Sequence, residues 1–194
     1  MTVDVENIVK LVVSSEGNAG IVSLDYFPCL VETFWAQIEP SSKCGDVIKL
    51  DFNDEGFQHG DYISNQLRDK YGIRIKAKPN KQEWGAYAPN GAIRVYNSST
   101  PHSDGRTRGI CSPNQKCASP GPGKGTGGEP SSQYANCDEL GNVLIIQAKA
   151  DLPPQSNRWG GSVKFKFDKP SYVGDIGLVS VGTDTAAEVI VSAS

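Results

Sequence analysis

The feature that most limits how this chain can fold is a two-residue rhythm. In SVKFKF (residues 162–167) Val163, Phe165 and Phe167 alternate with Lys164 and Lys166, and IRIKAKP (73–79) alternates again. In DVIKLDF (46–52) Ile48, Leu50 and Phe52 fall on one side, with Val47, Lys49 and Asp51 on the other. A period of two sends successive side chains to opposite faces of a strand, whereas on a helix it scatters apolar groups around the axis. Lysine at every second position predicts a sheet with one face on a core and one in water.

Further runs extend the pattern. VENIVKLVVSS and AGIVSLDYF are two strands separated by the turn SEGNAG, and GAIRVYNS follows a PNG turn. NVLIIQA, GGSVKFKFDKP, VGDIGLVSVG and AAEVIVSA are four more strands, each bounded by Gly, Pro or Asp. CLVETFWAQIEPSSKC fits a strand closed by Cys29 and Cys44, or a short helix, and the strand is preferred. DYISNQLRDKYG has polar residues at helical spacing and ends in Gly72, which predicts at most one short helix. With 21 Gly and 12 Pro among 194 residues, many turns must join short strands. The expected fold is all-β, a two-sheet, jelly-roll-like β-sandwich, in a single domain spanning 1–194.

A net charge of −3 provides no broad basic field, so nucleic-acid binding is set aside. No run approaches the ~18 apolar residues of a membrane span, so no membrane insertion is expected. MTVDVENIVKLVV carries acids where a secretory leader needs positive charge, so an exported protein would have lost its signal or carry it outside this chain. Five cysteines, Cys29, Cys44, Cys111, Cys117 and Cys137, fall in Pro- and Ser-containing loops. That usage favours disulfides and an extracellular or cell-surface location. Cys111 with Cys117 is the first expected pair, with five residues between them, and Cys29 with Cys44 the next. The odd count leaves one thiol that is free, pairs with another chain, or belongs to something longer.

Residues 98–139 form a long Gly-, Pro- and Ser-rich stretch that contains PGPGKGTGGEP (120–130). It fails as a phosphate loop, because Lys124 is followed by Gly125 where Ser or Thr entering a helix is needed. Cys111, Cys117 and Cys137 bracket it, which argues for a pinned loop over a flexible tether.

The best metal candidate is the acidic stretch Asp51, Asn53, Asp54 and Glu55 with Asp61 nearby, since Ca²⁺ takes several oxygen ligands from a tight loop. The competing reading is a solvated turn, so calcium is a possible cofactor and no other is implied. His59 and His102 lie in no zinc-type spacing with the cysteines. Trp84, Tyr87 and Trp159 stand in polar, turn-rich surroundings and are candidate sugar platforms, with loop anchoring as the commoner role. Asn97 opens an NSS glycosylation sequon.

SPGPGKGTGGEPSSQYANCDELGNVLIIQ, followed by GGSVKFKFDKPSYVGDIGLVSV, resembles a large and mostly uncharacterised group of β-sandwich domains in bacterial anchored surface proteins and in algae such as diatoms. Upstream, IKLDFNDEGFQHGDYISNQLRDKYGIRIKA resembles their opening segment, and the likeness covers about residues 46–191. It implies that the glycines shape a fixed loop feeding a core strand. Those domains carry further acidic loops, where this chain has NSSTPHSDGRTRG, keeping Asp104, and ADLPPQSNRWGG, keeping Asp151. Any calcium held at Asp51–Glu55 is therefore expected to be weak.

The resembled domains continue past the strand matching AEVIVSA, and the N-terminal TVDVENIVKLVVSSEGNAGIVSLDYF resembles their missing final segment. Residues 1–27 are expected to complete a sandwich of this fold, either their own or a neighbour's, as in a tandem repeat, with exchange between units favoured. The function so implied is a non-catalytic structural or adhesive surface module whose partners are copies of itself or adjacent repeats. The alternative is a carbohydrate-binding module with a weak calcium site, its partner a polysaccharide, and the third a polysaccharide-active enzyme, for which no acid/base constellation stands out.

Overall fold

The computed structural model describes residues 2–15, 20–28, 45–53, 56–80, 93–100, 107, 109–124, 136–149, 153–180 and 187–193. In it the alternating runs become strands β1 (Thr2–Ser15), β2 (Gly20–Pro28), β3 (Ile48–Leu50), β4 (Ile73–Pro79), β5 (Ile93–Asn97), β6 (Asn142–Ile146), β7 (Gly161–Val179) and β8 (Ala187–Ala193). One helical turn, α1 (Arg68–Tyr71), stands where a short helix is expected and ends at Gly72. The all-β class holds. The stretch CLVETFWAQIEPSSKC, with Cys29 and Cys44, lies outside the described residues, as do residues 1, 16–19 and the tip of the Gly-rich loop.

The strands make one eight-stranded antiparallel sheet, ordered β5-β6-β2-β7-β1-β8, with β3 added to β2 and β4 added to β7. GGSVKFKFDKP and VGDIGLVSVG, expected as two strands, are the two arms of β7. The separation read from the sequence survives as a corner. Along β1 the partners jump from Lys166 opposite Lys10 to Ser171 opposite Ile8, so Phe167 to Pro170 face a single residue. Pro170 has no N–H to give the ladder, and there the strand bends instead of ending. β4 pairs only with the first arm and β2 only with the second.

The link between β1 and β2 shows how far β7 must bend. Ser15 is opposite Gly161 and Gly20 is opposite Val179, the two ends of β7. A straight strand of that length spans ~60 Å, but the chain from Ser15 to Gly20 reaches at most ~19 Å. The ends therefore meet, and Ser15, Gly20, Gly161 and Leu178 line one small cavity of about 20 Å³. The circuit closes on the far side through residues 60–64. Gly60 and Ile63 donate to the Val95 and Ile93 carbonyls at 2.9 and 3.1 Å, and Ile75 donates to the Ser64 carbonyl at 3.4 Å.

Inside the curl lies the main core, to which both arms contribute: Val163, Phe165 and Phe167 from the first, Val173 and Ile176 from the second, with Leu11, Leu24, Ile73 and Ile75. The continuous apolar run of β6 is explained by burial on both faces. Leu144 and Ile146 enter the main core, while Val143 and Ile145 join a second cluster with Tyr96, Ile110 and Cys111. That cluster sits under the pinned loop. Gly121 and Gly123 are required there, since a Cβ on Gly121 would run into the Pro113 carbonyl oxygen and one on Gly123 into that of Cys111.

Candidate functional site

The acidic loop spends its polar atoms on backbone groups, its own and those at the start of β6. Asp51 Oδ1 accepts from the Asn53 amide at 3.0 Å, and Asp61 Oδ2 accepts from the Gln58 amide at 2.8 Å. Asn53 Oδ1 accepts from the Asn142 amide at 2.7 Å, and its Nδ2 donates to the Asp51 and Leu140 carbonyls. Asn142 Nδ2 donates to the Phe52 and Phe57 carbonyls, so the loop is stitched to the start of β6. Asp54 and Glu55 lie outside the described residues. Among the described residues no group of three metal-binding side chains comes together.

Among the described residues the disulfide is Cys117 with Cys137, not Cys117 with Cys111. The Asn114 amide donates to the Asn136 carbonyl at 2.8 Å, which sets the two chain segments side by side and leaves the cysteine Cα atoms 5.5 Å apart. Cys111 is instead drawn into the second cluster, only 1% exposed, with Sγ 3.0 Å from Tyr96 Oη. Sequence spacing gave no hint of this, because the pairing follows from a contact between two loop segments some twenty residues apart.

Asn97 ends β5 half-buried, and its Oδ1 accepts from the Ser99 amide at 3.0 Å. Trp84 and Tyr87 lie outside the described residues. Trp159 is half-buried in the turn before β7, with the Arg158 guanidinium 4.0 Å from its ring centroid. Asn80, just past β4, donates to both the Trp159 and Ser15 carbonyls, at 3.0 and 3.3 Å, so Trp159 stands where β4, β7 and β1 meet.

From that point a layer of lysines runs along the outside of the sheet. Register puts Arg74, Lys166 and Lys10 in one cross-strand row, Lys76 and Lys164 in the next with Val12, and Lys78 in a third with Ser162 and Ser14. The alternating residues Ile73, Ile75, Val163, Phe165, Leu11 and Val13 point inward to the core. Lys76, Lys78, Lys164 and Lys166 are exposed. At the far end Asp168 receives both Arg68 Nε at 3.0 Å and Arg74 Nη2 at 2.7 Å. The two guanidinium groups hold its carboxyl below the usual range, against the opposing pull of desolvation. One acid thus meets two cations. Sequence reading had Lys164 and Lys166 facing water; the same K-x-K rhythm in IRIKAKP was the signal for Lys76 and Lys78, but only register brings the two runs together.

Comparison with protein-family models, curated proteins and solved structures finds no match to this chain. Among the described residues no helix is long and apolar enough to cross a membrane.

Proposed function

We propose that this chain is a non-catalytic structural or adhesive β-domain of the cell surface or extracellular matrix, and that its copies associate by exchanging β1 and β2. The reading rests on one observation. β1 and β2 flank β7 on its two sides, and the chain that follows them leaves at Pro28 and comes back at Gly45, whose N–H donates to the Pro28 carbonyl at 2.9 Å. Residues 29–44 are enough chain to reach ~50 Å. The slots beside β7 therefore accept the β1–β2 pair of the same chain or of a neighbour with identical contacts. The Cys117–Cys137 disulfide supports an oxidising compartment.

Two differently labelled preparations, unfolded and refolded together at high concentration, test the exchange. The expected product is an oligomer that contains both labels and does not scramble under native conditions. A strictly monomeric product overturns the reading. A carbohydrate-binding role is favoured by a separate observation, the closeness of Trp159 to the lysine layer.

A further inference from the structure

The lysine layer sets like charges side by side on neighbouring strands, and that arrangement needs an explanation. Like charges directly opposite one another on neighbouring strands repel. Here Lys166 lies between Arg74 and Lys10, and Lys164 lies beside Lys76. Lysines on the outermost strand of a sheet are explained as protection against edge-to-edge pairing. β7 is no such strand: its first arm is bonded to β4 on one side and β1 on the other, so Lys164 and Lys166 guard no edge. Among the described residues, neither these two nor Lys10, Lys76 and Lys78 has an ion-pair partner.

We propose that the outer face of β4, β7 and β1 is a binding surface for an acidic polysaccharide. The proposal rests on the surface-module reading for the setting in which such a chain is met. Cross-strand neighbours have Cβ atoms ~5 Å apart, and same-face neighbours along a strand lie ~7 Å apart. Those spacings present a regular grid of cations to a polymer that bears a carboxylate or sulfate at each repeat. An anionic chain laid across the rows interposes negative charge between cations that now repel, so the ligand relieves the repulsion that the free face carries. The turn that carries Trp159 lies at one end of the grid, where Asn80 ties β4 to it through the Trp159 carbonyl.

Other polyanions fit less well. The chain carries a net charge of −3, so a duplex or a membrane broader than three strands also meets a surface that repels it. The cations of the grid are mostly lysines, which bind as point charges and do not offer the planar fork that reads bases. A thin, flexible polysaccharide is the polyanion that can stay on the face alone.

The test is titration of the full chain with size-defined alginate, a polyuronate, at several salt concentrations. Neutral dextran, short duplex DNA and phosphatidylserine vesicles run in parallel. Wild type is expected to bind alginate, more weakly as salt rises, and dextran not at all. The Lys76→Gln/Lys164→Gln/Lys166→Gln variant should lose affinity by at least about tenfold while melting no lower than wild type, since its removed charges repelled one another. The Lys→Arg triple at the same positions should keep binding, and Lys49→Gln/Lys124→Gln should leave it unchanged. Absent alginate binding, Gln-variant affinity within about twofold of wild type, or equal binding of DNA or vesicles overturns the proposal. Co-refolding reports on strand exchange alone, so either idea can fail without the other.

Discussion

The two arms of β7 solve different problems with one strand. From Gly161 to Phe167 the register with β4 and β1 runs without a shift, and the residues alternate strictly between core and water. From Ser171 to Val179 the register slips against both neighbours, twice along β2 and again along β1, and Gly174 and Gly177 interrupt the pattern. The outer charges differ as well: the first arm carries lysines beside lysines, the second Asp175 opposite Asp25. An unshifted ladder keeps like side chains in rows and so builds a patterned surface. A shifted ladder gains twist and bend, which is what brings the ends of the strand together.

If the first arm is the rigid half, its centre should be the costliest place to cut. Phe165 is fully buried, and Phe165→Ala is expected to lose about 3–5 kcal/mol in urea unfolding. A loss near 1 kcal/mol would mean that this arm repacks and is no stiffer than its partner.

The second arm should be sensitive to added bulk instead. A Cβ on Gly177 would stand 2.7 Å from Ser23 Oγ on the neighbouring strand. Gly177→Val is expected to cost about 1–3 kcal/mol by the same measurement. A neutral result would show that β2 yields easily and that the close approach is unimportant to the curl.

Tyr26 joins the arms, since it pairs beside Val173 on the second while its ring lies 5.3 Å from Phe167 of the first. Its hydroxyl donates to the Tyr71 carbonyl at 2.8 Å, and burial pushes its pKa well above the usual phenol value. Tyr26→Phe should cost about 0.5–1.5 kcal/mol at neutral pH. The unfolded phenol ionises near pH 10, earlier than the folded one, so this group's contribution is complete below about pH 10 and falls as pH rises further. The variant should lack that part of the alkaline decline, as pH-dependent unfolding would report. Identical slopes would remove Tyr26 as the cause.

The smallest effect has the opposite sign. Lys164→Gln removes a cation from between its neighbours and should gain about 0.2–1 kcal/mol. Added salt should narrow the difference, because screening relieves the wild-type repulsion first. Destabilisation would show that the lysine stem matters more than its charge, and would blur the contrast between the arms.

Much of the sheet was legible beforehand because alternation is a local property. The inward set of β4 and of the first arm, the faces of Ile48 and Leu50, and the short helix before Gly72 all follow from neighbours one to four residues apart. The break at Pro170 was visible too, but its meaning was not: a proline that cannot donate marks an interrupted ladder equally well at a strand end or at a corner. The disulfide was misassigned for a related reason. Cys111 and Cys117 are near in sequence, yet the Asn114 to Asn136 bond carries Cys117 to Cys137 and leaves Cys111 with Tyr96.

By itself, then, the sequence determined which residues form strands and which of their faces seek the core, because both depend on period and side-chain chemistry within one segment. Tertiary structure alone decided that β7 lies between β1 and β2, that its arms close over one core, and that lysines some ninety residues apart share a face. Those outcomes depend on register between distant segments, where a slip of a single residue would turn every lysine inward. No periodicity within a segment carries that information.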